Sequence, residues 1–292
     1  MPPSIRKALR SLDGLSVGDA FGELFFHLSP AVFMTRTLPA GPWSWTDDTH
    51  MAISVVENLS KYGRIEQDAL AQAFAERFRR DPYRGYGGGA RSLLIKLLEG
   101  MNWREVSPAL FQGGSYGNGA AMRAAPIGGF FAGEPERAAE ESQLAAVITH
   151  AHPEGQAGAM AIAAAAAIAA KAPLPTGREF IREVLAFVPP SLTRDQIDRS
   201  CHISRDNHAE DVRSLGTGIR VSSQDTVPFC LWSAAHHLTS FEEGLWWTAR
   251  GLGDCDTTCA IVGGILALCA EVPQDWLVRR EPLPVELRQC EG

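Results

Sequence analysis

The chain has 292 residues, of which 45% are hydrophobic and 21% charged, so it is long enough to bury a large core. Its net charge of -7 provides no basic surface for nucleic acid, and an acidic ligand would need a local binding site. Its six cysteines lack zinc-site spacing, no signal-peptide core follows Met1, and the longest apolar run, 157–170, is too short to span a bilayer. These features predict a cytoplasmic protein without nucleic-acid or membrane partners, and a monomer is favoured.

The first predicted helix begins near Ser4 and continues into a stripe of small residues. Apolar side chains follow a helical spacing over 4–17, and Gly14, Gly18 and Gly22 recur every four residues. We favour close helix packing for this stripe, because glycines on one helix face usually serve a steric purpose. The alternative is that the neighbouring Asp19 and Glu23 contribute to a functional site.

An irregular loop, predicted over 25–41, leads to a first acidic cluster, Thr46-Asp47-Asp48-Thr49. A helical-looking run over 51–59 follows directly. An aspartate at this place is commonly a helix N-cap, but one cap needs one aspartate. Capping and metal binding are therefore both open for this cluster taken alone.

The next segments are predicted to be an amphipathic helix over 66–79, a mobile loop over 83–89 and a short helix over 90–98. A glycine-rich turn then runs from Gly113 to Arg123. Its backbone N–H groups can approach a phosphate closely, but it matches neither the Walker nor the dinucleotide fingerprint. Arg123 is interpreted either as the charge partner of an acidic group or as a surface residue.

Two histidines, His150 and His152, follow a helix predicted over 136–148. Each can be structural or ligand-facing, and the residues alone do not separate the two interpretations. Pro153 is expected at the first position of the next helix. The run 155–170 is almost entirely small residues, which predicts a central helix with close neighbours.

The remaining part of the chain is also predicted to be helical. Pro228 is expected in the first turn of a helix. Ser240 is predicted to be an N-cap, with Glu243 completing a capping box. The proline-rich tail from Pro273 is expected to wrap the surface. No strand pattern is convincing, so we predict about a dozen helices in one all-α domain over 1–292, with a core over about 4–270 and a tail over 273–292. The predicted late helices span 180–187, 194–201, 206–215, 225–238 and 241–250.

A second acidic cluster, at 253–258, mirrors the first and precedes an apolar helical run over 259–270. Bringing two such clusters together costs repulsion and lost hydration, which divalent cations remove. Mg²⁺ and Mn²⁺ prefer oxygen ligands, and no histidine or cysteine is needed. We therefore predict one hard-metal site built from both clusters. The oxygen ligands available are Thr46, Asp47, Asp48, Asp254, Asp256 and Thr257.

Five ordered blocks over about 12–268 make the chain resemble the ADP-ribosylglycohydrolase family, which includes the ADP-ribosylhydrolases. The blocks are GDAFG at 18–22, TDDT at 46–49, GSYGNGAAMR at 114–123, TH at 149–150 and GDCDT at 253–257. The resemblance implies a compact orthogonal multi-helix fold and two Mg²⁺ ions, with Mn²⁺ possible, held by the six oxygen ligands. It also implies that ADP-ribose lies along Gly114, Ser115, Tyr116, Gly117, Asn118 and His150.

The activity implied by this resemblance is metal-dependent removal of ADP-ribose from modified protein side chains, by cleavage of an N- or O-glycosidic bond. Asp47 or Asp48 is expected to accept a proton from the attacking water. The SYGNG form is similar to the branch that cleaves serine-linked and polymeric ADP-ribose, although bacterial arginine-specific members carry similar loops. Many relatives have a glutamate four residues after the glycine at position 22, whereas this chain has Phe26 there. Glu23 is the nearest acid, so either Glu23 is a catalytic residue that takes part from a shifted loop, or the site works without that carboxylate. The alternatives are ADP-ribose binding with little turnover, or a metal-dependent nucleotide-diphosphate phosphohydrolase.

Overall fold

The computed structural model describes residues 3–29, 31–203, 212 and 214–284. Within these ranges the chain forms fifteen α-helices and no strand, which confirms the all-α prediction and exceeds the expected dozen helices. Three short 3₁₀ turns, at Leu24–Phe26, Leu110–Gln112 and Asn118–Ala120, interrupt the loops. In chain order the helices are α1 (Pro3–Glu23), α2 (Val32–Thr35), α3 (Asp47–Tyr62), α4 (Gln67–Arg80), α5 (Gly88–Leu98), α6 (Trp103–Ala109), α7 (Ala125–Phe130), α8 (Pro135–Val147), α9 (Pro153–Ala169), α10 (Arg178–Leu185), α11 (Leu192–Ser200), α12 (Ser223–Ala235), α13 (Phe241–Ala249), α14 (Cys255–Leu266) and α15 (Gln274–Arg279).

The glycine stripe of α1 packs directly on the backbone of α14. A Cβ atom added at Gly18 would lie 2.7 Å from the carbonyl carbon of Cys259, and one at Gly22 would lie 2.6 Å from that of Cys255. No side chain fits into such a gap, so only glycine permits this approach. The packing interpretation of the stripe is confirmed. Its consequence is that α1, which leads towards the first acidic cluster, holds the start of α14, where the second cluster lies.

The alanine-rich helix α9 lies in the core, against α7, α8 and α12. Pro153 occupies its first turn, as predicted, where its missing N–H costs no hydrogen bond. The preceding residue, His152, caps the helix by accepting a hydrogen bond from the backbone N–H of Glu154 at 3.1 Å. Small side chains let three neighbours approach α9 closely, which matches the expectation of a central helix.

Two sequence expectations in the last part of the chain are wrong. Pro228 lies inside α12 rather than in its first turn. The tail does not simply wrap the surface, because α15 inserts the buried Trp276, whose ring stacks on Phe21 with centroids 4.6 Å apart. Most of the helix expected over 206–215 and the tail over 285–292 lie outside the described residues.

The capping box predicted before α13 is half formed. The Ser240 hydroxyl accepts a hydrogen bond from the backbone N–H of Glu243, as an N-cap does. The Glu243 carboxylate forms an ion pair with Arg36. Among the described helices, none combines the length and the apolar character that a bilayer crossing requires.

Candidate functional site

The first acidic cluster is built by the start of α3. Thr46 is the N-cap, and its hydroxyl accepts a hydrogen bond from the Asp48 backbone N–H at 3.4 Å, so the two aspartates are not the caps. Both aspartates lie in the first turn, where the helix dipole favours negative charge. Behind them, the fully buried Asp19 accepts hydrogen bonds from the backbone N–H groups of Thr46 and Thr49, both at 3.0 Å. Asp19 therefore fixes the turn that carries the cluster.

The second acidic cluster is built by the start of α14. Asp254 lies at the N-cap position but makes no capping hydrogen bond through its side chain. Its carboxylate instead accepts a hydrogen bond from Asn118 Nδ2 at 2.7 Å. Asp256 lies in the first turn of the helix. The side chain that would normally cap this helix is thus turned towards the glycine-rich loop.

Both clusters line one cavity of about 530 Å³. The sequence-predicted residues that line it are Asp47, Asp48, Ser115, Tyr116, Gly117, Asn118, His150, Asp254, Asp256 and Thr257. Thr46, Gly114 and Glu23 are not part of this lining. The structure therefore brings residues from opposite ends of the chain to a shared pocket.

Burial and mutual repulsion perturb the four cavity carboxylates. Burial, and then the charge of Asp256, raise the pKa of Asp48 well above its usual value, and burial with the charge of Asp254 does the same to the pKa of Asp256. Burial and the charge of Asp19 raise the pKa of Asp47 to about 7. Burial also raises the pKa of Asp254, against the hydrogen bond from Asn118. Ionising all four carboxylates together is therefore unfavourable, because they are buried and repel one another.

Two carboxylate oxygens in the cavity fit the requirements of a hard cation. Oδ2 of Asp48 and Oδ1 of Asp256 are buried and have no hydrogen-bond partner in the part of the chain that the structure describes. Buried oxygens of this kind are costly unless a proton or a cation occupies them. Within the described residues, no group of three His, Cys, Asp or Glu side chains is already arranged as a metal-binding cluster. Carboxylate oxygens are the type of ligand that Mg²⁺ and Mn²⁺ accept, so the chemistry of these two atoms fits such an ion.

Three sequence-predicted residues lie away from the cavity surface. The Thr46 hydroxyl donates a hydrogen bond to Asp19 at 2.9 Å and accepts one from the Asp48 N–H, which leaves one of its two lone pairs. The Glu23 carboxylate lies 3.7 Å from His27 Nε2, and burial raises its pKa. Gly114 packs against the backbone of Ala151 and His152. Glu23 therefore has no contact with the cavity that supports a catalytic role.

The glycine-rich loop forms one wall of the cavity. Its backbone is held by Val221, whose carbonyl accepts a hydrogen bond from the Asn118 N–H at 3.3 Å. Ser115 Oγ accepts a hydrogen bond from the Gly117 N–H at 3.2 Å. Tyr116 is half exposed, with its ring edge-to-face on His152 at 5.6 Å. This wall thus combines a tightly turned backbone with one accessible aromatic ring.

Arg123 is buried rather than on the surface, and among the described residues it forms no direct ion pair, although the charge of Asp47 acts on it. It is 1% exposed, and its guanidinium donates hydrogen bonds to the Gly119 carbonyl and to Thr149 Oγ1. Burial lowers its pKa to about 10, and the nearby charge of Asp47 opposes that shift. Arg123 therefore supplies a buried positive charge behind the acidic clusters.

Several cavity residues had no role in the sequence interpretation. Phe111, which lies 2.9 Å from the position of a Cβ added at Gly89, has a left-handed backbone with φ of 51°. Arg220 and Val221 come from the loop before α12. The glycines at 85 and 87–89 were a usable signal, because glycines permit a ligand or a side chain to approach the backbone closely. Phe111, Arg220 and Val221 carry no pattern of their own. The lining of the cavity therefore extends beyond the motifs of the sequence analysis.

Comparison with known proteins finds one family model and several relatives that resemble this chain. The family model described as ADP-ribosylglycohydrolase matches residues 1–289. ADP-ribosyl-[dinitrogen reductase] glycohydrolase of Rhodospirillum rubrum is 25% identical over 94% of this chain and 90% of its own length. ADP-ribosylhydrolase ARH3 of Homo sapiens is 34% identical, but over 51% of this chain and 46% of its own length. The alignment with this ARH3 relative therefore spans less than half of that relative.

A solved structure described as an ADP-ribosylglycohydrolase-related protein complex shares the fold. It covers 100% of this chain, and this chain covers 96% of it, with a TM-score of 0.68 and 21% sequence identity. At that identity the likeness concerns the fold. The match of the family model over nearly the whole sequence carries the assignment: the chain belongs to the ADP-ribosylglycohydrolase family.

Proposed function

We propose that the protein is a metal-dependent hydrolase that removes ADP-ribose from modified protein side chains by cleaving an N- or O-glycosidic bond. The observation that carries the proposal is the shared cavity, in which two acidic clusters from distant parts of the chain meet a glycine-rich loop. The names of the relatives from Rhodospirillum rubrum and Homo sapiens support the reaction class. A protein carrying an ADP-ribosyl group is accordingly the proposed partner.

The residues proposed to hold two Mg²⁺ or Mn²⁺ ions are Asp47, Asp48, Asp254, Asp256 and Thr257, with Thr46 as a further ligand. The unpaired buried oxygens of Asp48 and Asp256 support this assignment. Such ions, when bound, supply Lewis-acid activation of a water and neutralise the surrounding carboxylates. Either cation satisfies the oxygen-only ligand set.

The side chains of the cavity have separate proposed tasks. Asp47 and Asp48 line the cavity and are assigned to accept the proton of the attacking water. The surrounding carboxylates stabilise the positive charge that develops on the ribose ring in an oxocarbenium-like transition state. The backbone of Ser115 and Gly117 holds the diphosphate, and this binding positions the reacting bond. Glu23 is left out of the proposed machinery, because its carboxylate faces His27.

The test is release of ADP-ribose from arginine-linked and serine-linked ADP-ribosyl peptides, with Mg²⁺ and with a chelator. We expect turnover of at least one peptide with Mg²⁺, and a loss of at least about 100-fold in Asp256→Asn, since a group acting in the transition state is removed. The matched control is Asp275→Asn, which changes an exposed carboxylate in the same way. Full turnover in Asp256→Asn, or AMP as the product, would contradict the proposal.

One observation favours a second candidate, an ADP-ribose-binding protein with little turnover. Neither Glu23 nor Phe26 lines the cavity, so the position that carries a glutamate in many relatives provides no acid here. Calorimetry with ADP-ribose beside the peptide assay separates the two candidates. Binding without release from either peptide supports the second candidate.

A further inference from the structure

The side chain of His150 is buried beside the glycine-rich loop, with its two ring nitrogens in different surroundings. Nδ1 lies 2.7 Å from Thr149 Oγ1. Nε2 points at the loop, 3.4 Å and 3.2 Å from the positions of Cβ atoms added at Gly117 and Gly119. Among the described residues, Nε2 has no hydrogen-bond partner, although only 8% of His150 is exposed. This nitrogen therefore faces a cavity in which a ligand is expected.

The proton on His150 is directed by Arg123 through Thr149. Arg123 Nη2 lies 2.7 Å from Thr149 Oγ1, and a guanidinium can only donate. The Thr149 hydroxyl, having accepted that bond, has one hydrogen to give, and His150 Nδ1 is the acceptor within reach among the described residues. The reverse tautomer would bury that hydroxyl hydrogen without an acceptor, at the cost of a lost hydrogen bond. The nearby positive charge also favours a lone pair on Nδ1.

We propose that Thr149 and Arg123 are positioning residues that hold His150 as the Nε2–H tautomer, so that it presents a hydrogen-bond donor to an oxygen atom of ADP-ribose. The identity of the ligand rests on the proposed function, whereas the tautomer does not. Burial and the charge of Arg123 lower the pKa of His150 to about 3, so the ring is neutral and its tautomer is a defined state.

The spectroscopic test is nitrogen NMR of the histidine rings in the full chain, with the His150 signals assigned by their loss in His150→Gln. We expect an unprotonated Nδ1 and a protonated Nε2 in the native protein. Thr149→Val should move both ring signals towards a mixture of tautomers, and Thr149→Ser should restore the native pattern. Thr193→Val is the matched control, because it removes a buried threonine hydroxyl that donates to Glu154 elsewhere in the fold. A protonated Nδ1 in the native protein overturns the proposal.

The binding test is calorimetry of ADP-ribose with the same variants and Mg²⁺ present. We expect Thr149→Val to weaken binding by about five- to tenfold, the effect of one hydrogen bond, and Thr149→Ser and Thr193→Val to bind within about twofold of the native protein. Native affinity in Thr149→Val, together with shifted ring signals, overturns the assignment of Nε2 as a ligand donor. No binding by the native protein would count against the proposed function, while the ring signals would still decide the tautomer.

Discussion

The contact between α1 and α14 makes a strong prediction about Gly22. A Cβ atom at this position would lie 2.6 Å from the carbonyl carbon of Cys255 and 2.8 Å from Cα of Asp256. The carbonyl oxygen of Cys255 would lie closer still, and an ordinary contact needs about 3.4 Å, so Gly22→Ala forces the start of α14 to move by at least about 0.8 Å. Overpacking of this kind costs about 3 kcal/mol, which lowers the Tm by roughly 6–12 °C. Because Asp256 moves with the backbone, we also expect turnover to fall by about 100-fold.

A second glycine on the same stripe separates the local effect from general destabilisation. Gly14→Ala presses on Gly263 and Ala267, two turns of α14 beyond the acidic cluster. We expect it to lower the Tm to a similar extent while turnover, measured well below both Tm values, changes less than about threefold. Thermal denaturation and the peptide assay measure the two effects. Equal losses of activity in both variants, or native activity in Gly22→Ala, would refute the argument that the stripe sets the cluster geometry.

Three further outcomes follow from the charges around the cavity. In chelator, Asp48→Asn should raise the free energy of unfolding by about 1 kcal/mol, because it removes a buried carboxylate that the charge of Asp256 repels. Added Mg²⁺ should stabilise the native protein but not this variant, as followed by thermal denaturation. Burial and the charge of Asp19 raise the pKa of Asp47 from 3.8 to about 7, so the stability linked to its proton is full below about pH 4 and is lost as the pH rises to 7. The Tm in chelator should therefore fall over about pH 4–7, and a flat profile would contradict this. Glu281→Ala breaks the two 2.8 Å hydrogen bonds that hold Arg84, whose carbonyl accepts the Asp47 N–H. The substitution should lower the free energy of unfolding in urea by about 1–2 kcal/mol and weaken Mn²⁺ binding several-fold. The control Arg104→Ala, in an exposed ion pair, should change the free energy of unfolding by less than about 0.5 kcal/mol.

Local patterns were sufficient to predict most helices and the two starts that carry the acidic clusters. The stripe of Gly14, Gly18 and Gly22 predicted close packing, because spacing along a helix determines which residues share a face. The capping interpretation of Asp47 and Asp48 was wrong, since the hydroxyl of Thr46, directly before them, is the cap and accepts the Asp48 N–H. Such competition between neighbouring caps is decided by backbone geometry that a sequence pattern does not specify.

Contacts between distant segments explain what the sequence did not predict. The burial of Arg123 depends on an acceptor at Thr149 and on Phe74, over whose ring the guanidinium lies at 4.7 Å. Trp276 is buried because Phe21, near the other end of the chain, provides a surface for it. Glu23 was placed near the site by its position after the glycine stripe, but its side chain faces His27, one helical turn on. The burial of Arg123 and of Trp276 is set by tertiary packing, which local periodicity does not contain, whereas the Glu23–His27 contact is local.

The order in which the two acidic clusters leave the ribosome follows from the position of α14. Helix α3 is synthesised within the first quarter of the chain, whereas α14 spans Cys255–Leu266. Until that late segment emerges, the glycine face of α1 has no helix to receive it, and Asp48 has no opposing carboxylate. The glycine face of α1 therefore stays uncovered in a nascent chain until this later helix has been synthesised. Completion of the cavity is therefore a late event in the biogenesis of this protein.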